Sequence, residues 1–377
     1  MPNPLEGLSS VLKRLSNQAS FLPATGGAVE DLLHPEVEER EDKWVNMEER
    51  VFDAIIETKQ KPLYRPVPPL HRSEQHFFRY FLDGSFRSYF VGTVIEHDRD
   101  TPVHFAQIGA AIIKREDEGD VKVERVEVKN LLLLAKDRLS QAVWKTLQDE
   151  ISKLGRGVEL VDFATKDQFT QYFSAEADPR TKAAGKVRYK MRELEEKLTI
   201  EKIPTLKDEW MAIDGSLMFQ PLLNGLMQFS EQRVVGISKS FRRDPQFTIG
   251  RGPRAERINI IELLAGLPHE HRTAAFSALG GKVAFWYVRI REQKHLDYPL
   301  MGVVKVELVN PSQEGIDSEL IDLISRAIVA ERSVTPYGLD RRWHACLYPI
   351  YLAEVVVKNA LLSREVIRAA LRWSLVK

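Results

Sequence analysis

The chain is poor in cysteine, has no excess of either charge, and contains no long hydrophobic run; each absence narrows what it can be. Cys346 is the single cysteine, which excludes an intramolecular disulfide and any zinc site built on several thiolates. Lys plus Arg and Asp plus Glu each total 54, so a nucleic-acid surface would have to be a local patch rather than a property of the whole chain. No stretch approaches the roughly 20 apolar residues of a membrane-spanning helix. Pro4, Glu6 and Lys13 interrupt any signal-peptide core at the N-terminus. A soluble, cytoplasmic protein is the expectation. At 377 residues there is chain enough for two domains, or for one large α/β domain with extensions.

Residues 1–76 read as an extension. Leu8, Val11, Leu12 and Leu15 share one helical face, packed on the chain's own domain or offered to a partner. Trp44, Met47, Val51 and Ile55 predict a second helix over 39–58. Four prolines between Lys61 and Pro69 make an extended connector. The core block, 77–377, opens with strands in a meander, the strictly alternating Val121–Val128 among them. It continues through a helix near 137–153, a strand at Val158–Phe163 and a long charged helix over 181–199 with Val187, Met191, Leu194 and Leu198 as its apolar stripe. Strands at 211–213 and 233–238, a helix at 221–229, a hairpin pair (282–290, 300–308) and helices over 316–331 and 348–374 follow. That order predicts a mixed α/β sheet.

Two stretches carry the chemistry: Tyr80-Phe81-Leu82-Asp83-Gly84-Ser85 and Met211-Ala212-Ile213-Asp214-Gly215-Ser216-Leu217. Each reads as an apolar strand that ends on an aspartate and turns on a glycine. A buried carboxylate is costly unless paired or bound to a cation, and two brought together repel unless one is protonated or a cation lies between them. Asp83 and Asp214 on neighbouring strands would therefore suit Mg²⁺ or Mn²⁺, hard ions that take carboxylate oxygens. The bland alternative is two ordinary Asp-Gly turns. Lys239 halts the apolar run Val234–Ser238, where its ammonium would face phosphate, the carboxylates or solvent. Between Lys239 and Arg257, Arg242, Arg243, Arg251 and Arg254 surround Gly250-Arg251-Gly252, the best phosphate-binding candidate in a neutral chain. Pro268-His269-Glu270-His271 lacks the i, i+4 spacing of a zinc-protease helix and reads as loop.

Tyr80–Ser85, Met211–Leu217, Val234-Val235-Gly236-Ile237-Ser238-Lys239 and Leu347-Tyr348-Pro349, in that order, resemble the successive signatures of the NurA nuclease family over roughly residues 77–360. The resemblance implies an RNase H-like (Piwi-like) mixed sheet flanked by helices, a Mn²⁺- or Mg²⁺-dependent DNA nuclease, a homodimer, and a HerA-type hexameric ATPase as partner in DNA end processing. It implies metal-holding roles for Asp83 and Asp214, a catalytic part for Tyr348 at the start of the last helix, and a glutamate from the helix before the second motif. That helix offers Glu193, Glu195 and Glu196. Spacing favours Glu196, with Glu195 next, while Arg192 and Glu196 at i and i+4 would otherwise be a surface pair. Where the family places a histidine in the last helix this chain has Glu354, which can hold a metal but cannot donate as imidazolium does; His344 lies nearby. A catalytically weakened DNA clamp for the same ATPase is the alternative. An actin-like or sugar-kinase ATPase also uses two Asp-Gly loops, but there the glycine sits two residues after the aspartate, and here it follows directly.

Overall fold

The computed structural model of the chain describes residues 7–15, 17–23, 30–31, 51–53, 57–58, 62–71, 76–154, 157–164, 178–230, 233–249, 256–292, 300–334 and 343–370. Its centre is a mixed sheet, 13-stranded among the described residues. The strands that matter for the site are β1 (Phe78–Glu96), β2 (Arg99–Arg115), β3 (Val121–Leu134), β4 (Val158–Asp162), β5 (Trp210–Asp214), β6 (Val234–Ser238), β7 (Val283–Arg289) and β8 (Val303–Val309). Across the sheet they run β7-β8-β6-β5-β1-β2-β3-β4, with Tyr64–Pro66 and His271–Thr273 outside β7. The meander β1-β2-β3 is antiparallel. β5 joins β1 in parallel and β6 joins β5 in parallel. β8 and β7 close the other side as an antiparallel pair in which Val283–Arg289 faces Val303–Val309 residue for residue.

Alternation along the central strands sends side chains to two apolar layers, because successive residues of a strand point to opposite faces. Leu82, Met211, Ile213 and Val234 pack with Val187, Met191, Leu194 and Leu198 of helix α1 (Pro179–Lys202). Phe81, Ala212, Val235 and Ile237 pack with Ile321 and Ile324 of α2 (Ser318–Glu331) and with Ile350 and Ala353 of α3 (Tyr348–Ala360). The sheet thus has α1 on one face and α2 and α3 on the other. Asp178 caps α1, accepting from the Arg180 and Thr181 amides, with Pro179 in the first turn.

Several expectations meet corrections. β1 does not stop at Asp83: it runs straight through Gly84 and Ser85, which pair with Ala110 and Gly109 of β2. Val51–Asp53 is a strand, parallel to Gln246–Thr248, rather than the end of a helix; the rest of that expected helix up to residue 50 lies outside the described residues. Phe52 decides the matter, buried with its ring 5.0 Å from Phe285 and 5.9 Å from Phe247, worth roughly 1.5–3 kcal/mol. The last helix is two, α3 and Arg364–Ala370, separated at Leu361, which is extended. The N-terminal extension is not purely helical: Leu8–Leu15 is a helix whose apolar side packs on the core, while Ser20–Pro23 pairs with β1 and Tyr64–Pro66 makes an edge strand. His271 opens the short strand beside Tyr64–Pro66 instead of lying in a loop. Among the described residues no helix is long and apolar enough to cross a membrane.

Candidate active site

Asp83 and Asp214 come side by side because β1 and β5 pair in parallel with Leu82 opposite Ile213. Each aspartate lies two residues beyond a side chain of the α3 face, Phe81 and Ala212, so both belong to that face. Lys239 follows Ile237 of β6 by the same interval, and its Nζ stands 3.3 Å from Asp214 Oδ2 with the side chain 7% exposed. From above, α3 contributes Glu354. Four charged side chains from four elements therefore meet on one face, at the sheet edge where β5 and β6 end.

Their electrostatics are those of an overcrowded acidic site. Burial, then Asp214, push the Asp83 carboxyl well above its ordinary value; Lys239 opposes the rise, and Glu354 and Glu195 add to it. Burial works against the charge on Lys239, yet Asp214, Cys346, Asp83 and Glu354 hold its ammonium well above the ordinary value. Asp83 also accepts from the Gly84 amide at 2.7 Å. Three carboxyl groups, Asp83, Asp214 and Glu354, thus gather around Lys239.

The helix glutamate is resolved differently from the sequence spacing. Glu195 is buried, 3% exposed, and lies against Gly84. A β-carbon at residue 84 would come 2.9 Å from Glu195 Cδ. Glycine is needed there for that approach and not for a turn. Glu196, about 100° further round the helix, is half-buried, and its carboxyl is pushed up by burial and by Glu193. Arg192 pairs with Glu195 at 2.7 Å rather than with Glu196. Glu195 thus reaches the Asp83 segment from the α1 face, across a backbone without a side chain. Gly84→Ala is expected to displace Glu195 and to cost about 1–3 kcal/mol of stability, read by thermal unfolding; an unchanged midpoint would show that the glutamate can yield freely.

The second motif does turn. Gly215 has φ +93°, and a β-carbon there would stand 2.8 Å from Arg192 Nη1. Arg192 donates to the carbonyls of Asp214 (3.2 Å) and Ser216 (2.6 Å), tying α1 to the turn. From β8, Glu307 accepts from Ser216 Oγ and the Leu217 amide, both at 2.7 Å.

The chain matches no family model and no curated protein.

Tyr348 is 46% exposed in the first turn of α3, its ring 6.5 Å from that of Tyr351. Arg242 pairs with Asp244 at 2.8 Å and Arg243 is exposed, on the segment leading away from Lys239. Arg251 and Arg254 lie outside the described residues. The Gly302 amide donates to Nδ1 of the buried His344, which anchors that residue to a neighbouring loop. Glu307 did not stand out in the sequence, and Arg192 did so only as a surface partner for Glu196; its partner is Glu195.

The donor set fits a hard divalent cation, since Asp83, Asp214 and Glu354 offer only carboxylate oxygens. As the side chains stand, no group of three or more His, Cys, Asp or Glu is set to hold a metal among the described residues. Lys239 takes the position against Asp214 instead.

Proposed function

We propose that this chain is a divalent-metal-dependent DNA nuclease of the RNase H-like class, resembling the NurA family. In this reading it acts as an exonuclease or single-strand endonuclease, as a homodimer in the cytoplasm, processing DNA ends with a HerA-type hexameric ATPase. The observation that carries the reading is the parallel pairing of β1 with β5, which sets Asp83 beside Asp214 under Lys239 and Glu354. A mixed sheet in which the first strand of an antiparallel meander takes parallel neighbours supports the RNase H-like class.

Asp83, Asp214 and Glu354 are the residues that would hold Mn²⁺ or Mg²⁺, and Glu195 fills the helix-glutamate position better than Glu196. When bound, such an ion supplies positive charge to the phosphate and lowers the pKa of a water. Lys239, already charged among acids, brings a fixed cation to the same face and stabilises charge developing on a phosphoryl oxygen without reorganising. Arg242 and Arg243 continue the basic character along the segment that leaves Lys239, where a DNA backbone would lie. Tyr348, exposed on the helix that carries Glu354, is available to the substrate.

The test is cleavage of labelled linear DNA with Mn²⁺. Wild type should cut, and Asp214→Ala should lose about 100-fold or more; equal cutting by Asp83→Ala and Asp214→Ala removes the assignment. One observation favours a second reading, a DNA clamp that serves the ATPase without cutting. Glu354, standing where the family has histidine, is engaged by Lys358 at 2.7 Å. DNA binding and ATPase stimulation without cleavage in any divalent metal would select the clamp.

A further inference from the structure

Glu307 is completely buried in the middle of β8. A buried charge persists only when its partners are good. Its partners are specific: Lys305 Nζ at 2.7 Å on one oxygen, and on the other both Ser216 Oγ and the Leu217 amide at 2.7 Å. Lys305 and Glu307 are opposite Ser238 and Gly236 of β6, so Glu307 reaches past β6 to the turn that follows β5. Gly236 makes room for this reach. A β-carbon there would stand 2.7 Å from Leu217 Cγ and 2.9 Å from the Gly215 carbonyl oxygen. The turn therefore folds down over Gly236 and is seized from two sides. Arg192 holds the carbonyls of Asp214 and Ser216, and Glu307 holds the next hydroxyl and amide.

We propose that Glu307, poised by Lys305, is a positioning residue that fixes the backbone after Asp214 and so aims the Asp214 carboxylate at the opposite face of the sheet. The inference rests on the metal-site reading above. Glu307 contacts neither substrate nor ion; its effect passes through Ser216 and Leu217 alone. A carboxylate suits the task because one oxygen can accept two donors from the turn while the other remains on Lys305, which an amide cannot reproduce with a lysine ammonium as neighbour.

Two measurements on the full chain test it without any turnover. The first is hydrogen exchange of the peptide covering 214–219, and the second is Mn²⁺ affinity, followed by the paramagnetic resonance of free Mn²⁺. Glu307→Met removes the acceptor at similar volume but strands Lys305, so the double variant Lys305→Met/Glu307→Met is measured beside it to remove that charge. Expected are faster exchange at 214–219 and Mn²⁺ binding weakened about 10–100-fold, the range for groups that orient metal ligands, with Ser216→Ala showing a smaller loss of the same sign. Unchanged exchange in the folded variants overturns the grip on the turn. Faster exchange with wild-type Mn²⁺ affinity overturns the link from turn to site. If wild type itself binds no Mn²⁺ while Glu307→Met still loosens the turn, the metal reading of the site has failed and the aiming role falls with it, whereas the clamp on the turn stands.

Discussion

Asp83→Asn is expected to abolish DNA cleavage and, in the absence of divalent ions, to leave the protein more heat-stable than wild type at neutral pH. The buried Asp83 carboxyl is held well above its ordinary value by burial and then by Asp214. An acid raised in the folded state lends stability while protonated, below the unfolded value of about 3.9, and withdraws it as pH climbs through the folded value. Asparagine is neutral at every pH and nearly isosteric. The gap between variant and wild type should therefore be small near pH 4 and widen toward pH 7.5, each 1 kcal/mol moving the midpoint by roughly 2 °C or less in a chain of this size. The loss of one partner for Lys239 reduces the gain without reversing it, because Asp214 stays 3.3 Å away. Mn²⁺ should reverse the order. A ligand bound only by the folded state adds about 2.7 kcal/mol at 100 times its Kd, and the variant lacks a central donor. Thermal scans in chelator and in Mn²⁺, at both pH values, measure all of this. A variant that is less stable than wild type in chelator at pH 7.5 would mean that Asp83 is held by attraction rather than strained by repulsion.

What could be seen in the sequence was what local pattern determines. An apolar run ending in Asp-Gly marks a strand with a buried acid, and both Asp83 and Asp214 sit in such strands. Whether the chain then turns depends on the neighbour. β2 continues alongside Gly84 and Ser85, so the first motif stays extended, while β5 ends at Asp214 and Gly215 turns at φ +93°. Helical spacing put Glu195 and Glu196 both within reach. The choice is made by the missing side chain at Gly84, which lies outside the helix, and by Arg192, which takes Glu195 at i, i+3 rather than Glu196 at i, i+4. Val51 and Ile55 share a helical spacing, yet Phe52 between them is claimed by Phe247 and Phe285 from far along the chain. Lys305 and Glu307 alternate with apolar residues in β8. They are buried because that face of the sheet is covered by the Asp214 turn. Long-range partners, not composition, decided each of these.

The largest stability effect is expected far from the acidic site, at Arg272. Its side chain is fully buried on the strand His271–Thr273, between Tyr64–Pro66 and β7, and is shared among three elements. Nη1 and Nη2 each lie 2.8 Å from a Glu57 oxygen, and Nε lies 2.6 Å from Asp322 Oδ1 of α2. Glu57 also accepts from the Ala275 amide at 2.8 Å. Burial alone would raise the Glu57 carboxyl, but hydrogen bonding and charge from Arg272, with the Ala275 amide, hold it below its ordinary value. Arg272→Met removes the cation and strands Glu57 in the interior, which costs about 3–5 kcal/mol when one partner of a buried pair is lost. The sign with pH follows from the lowered carboxyl: its contribution is complete above the unfolded value near 4.3 and is lost as pH falls through the folded one. Thermal unfolding should therefore show a large deficit for the variant at pH 7 that shrinks in acid, where Glu57 is protonated in both proteins. Because Glu57 belongs to the N-terminal extension and Asp322 to α2, the deficit also measures how firmly that extension is bound to the domain. Arg272→Met/Glu57→Leu should recover most of the loss. A double variant as unstable as the single one would assign the cost to packing around residue 272 and not to the stranded charge.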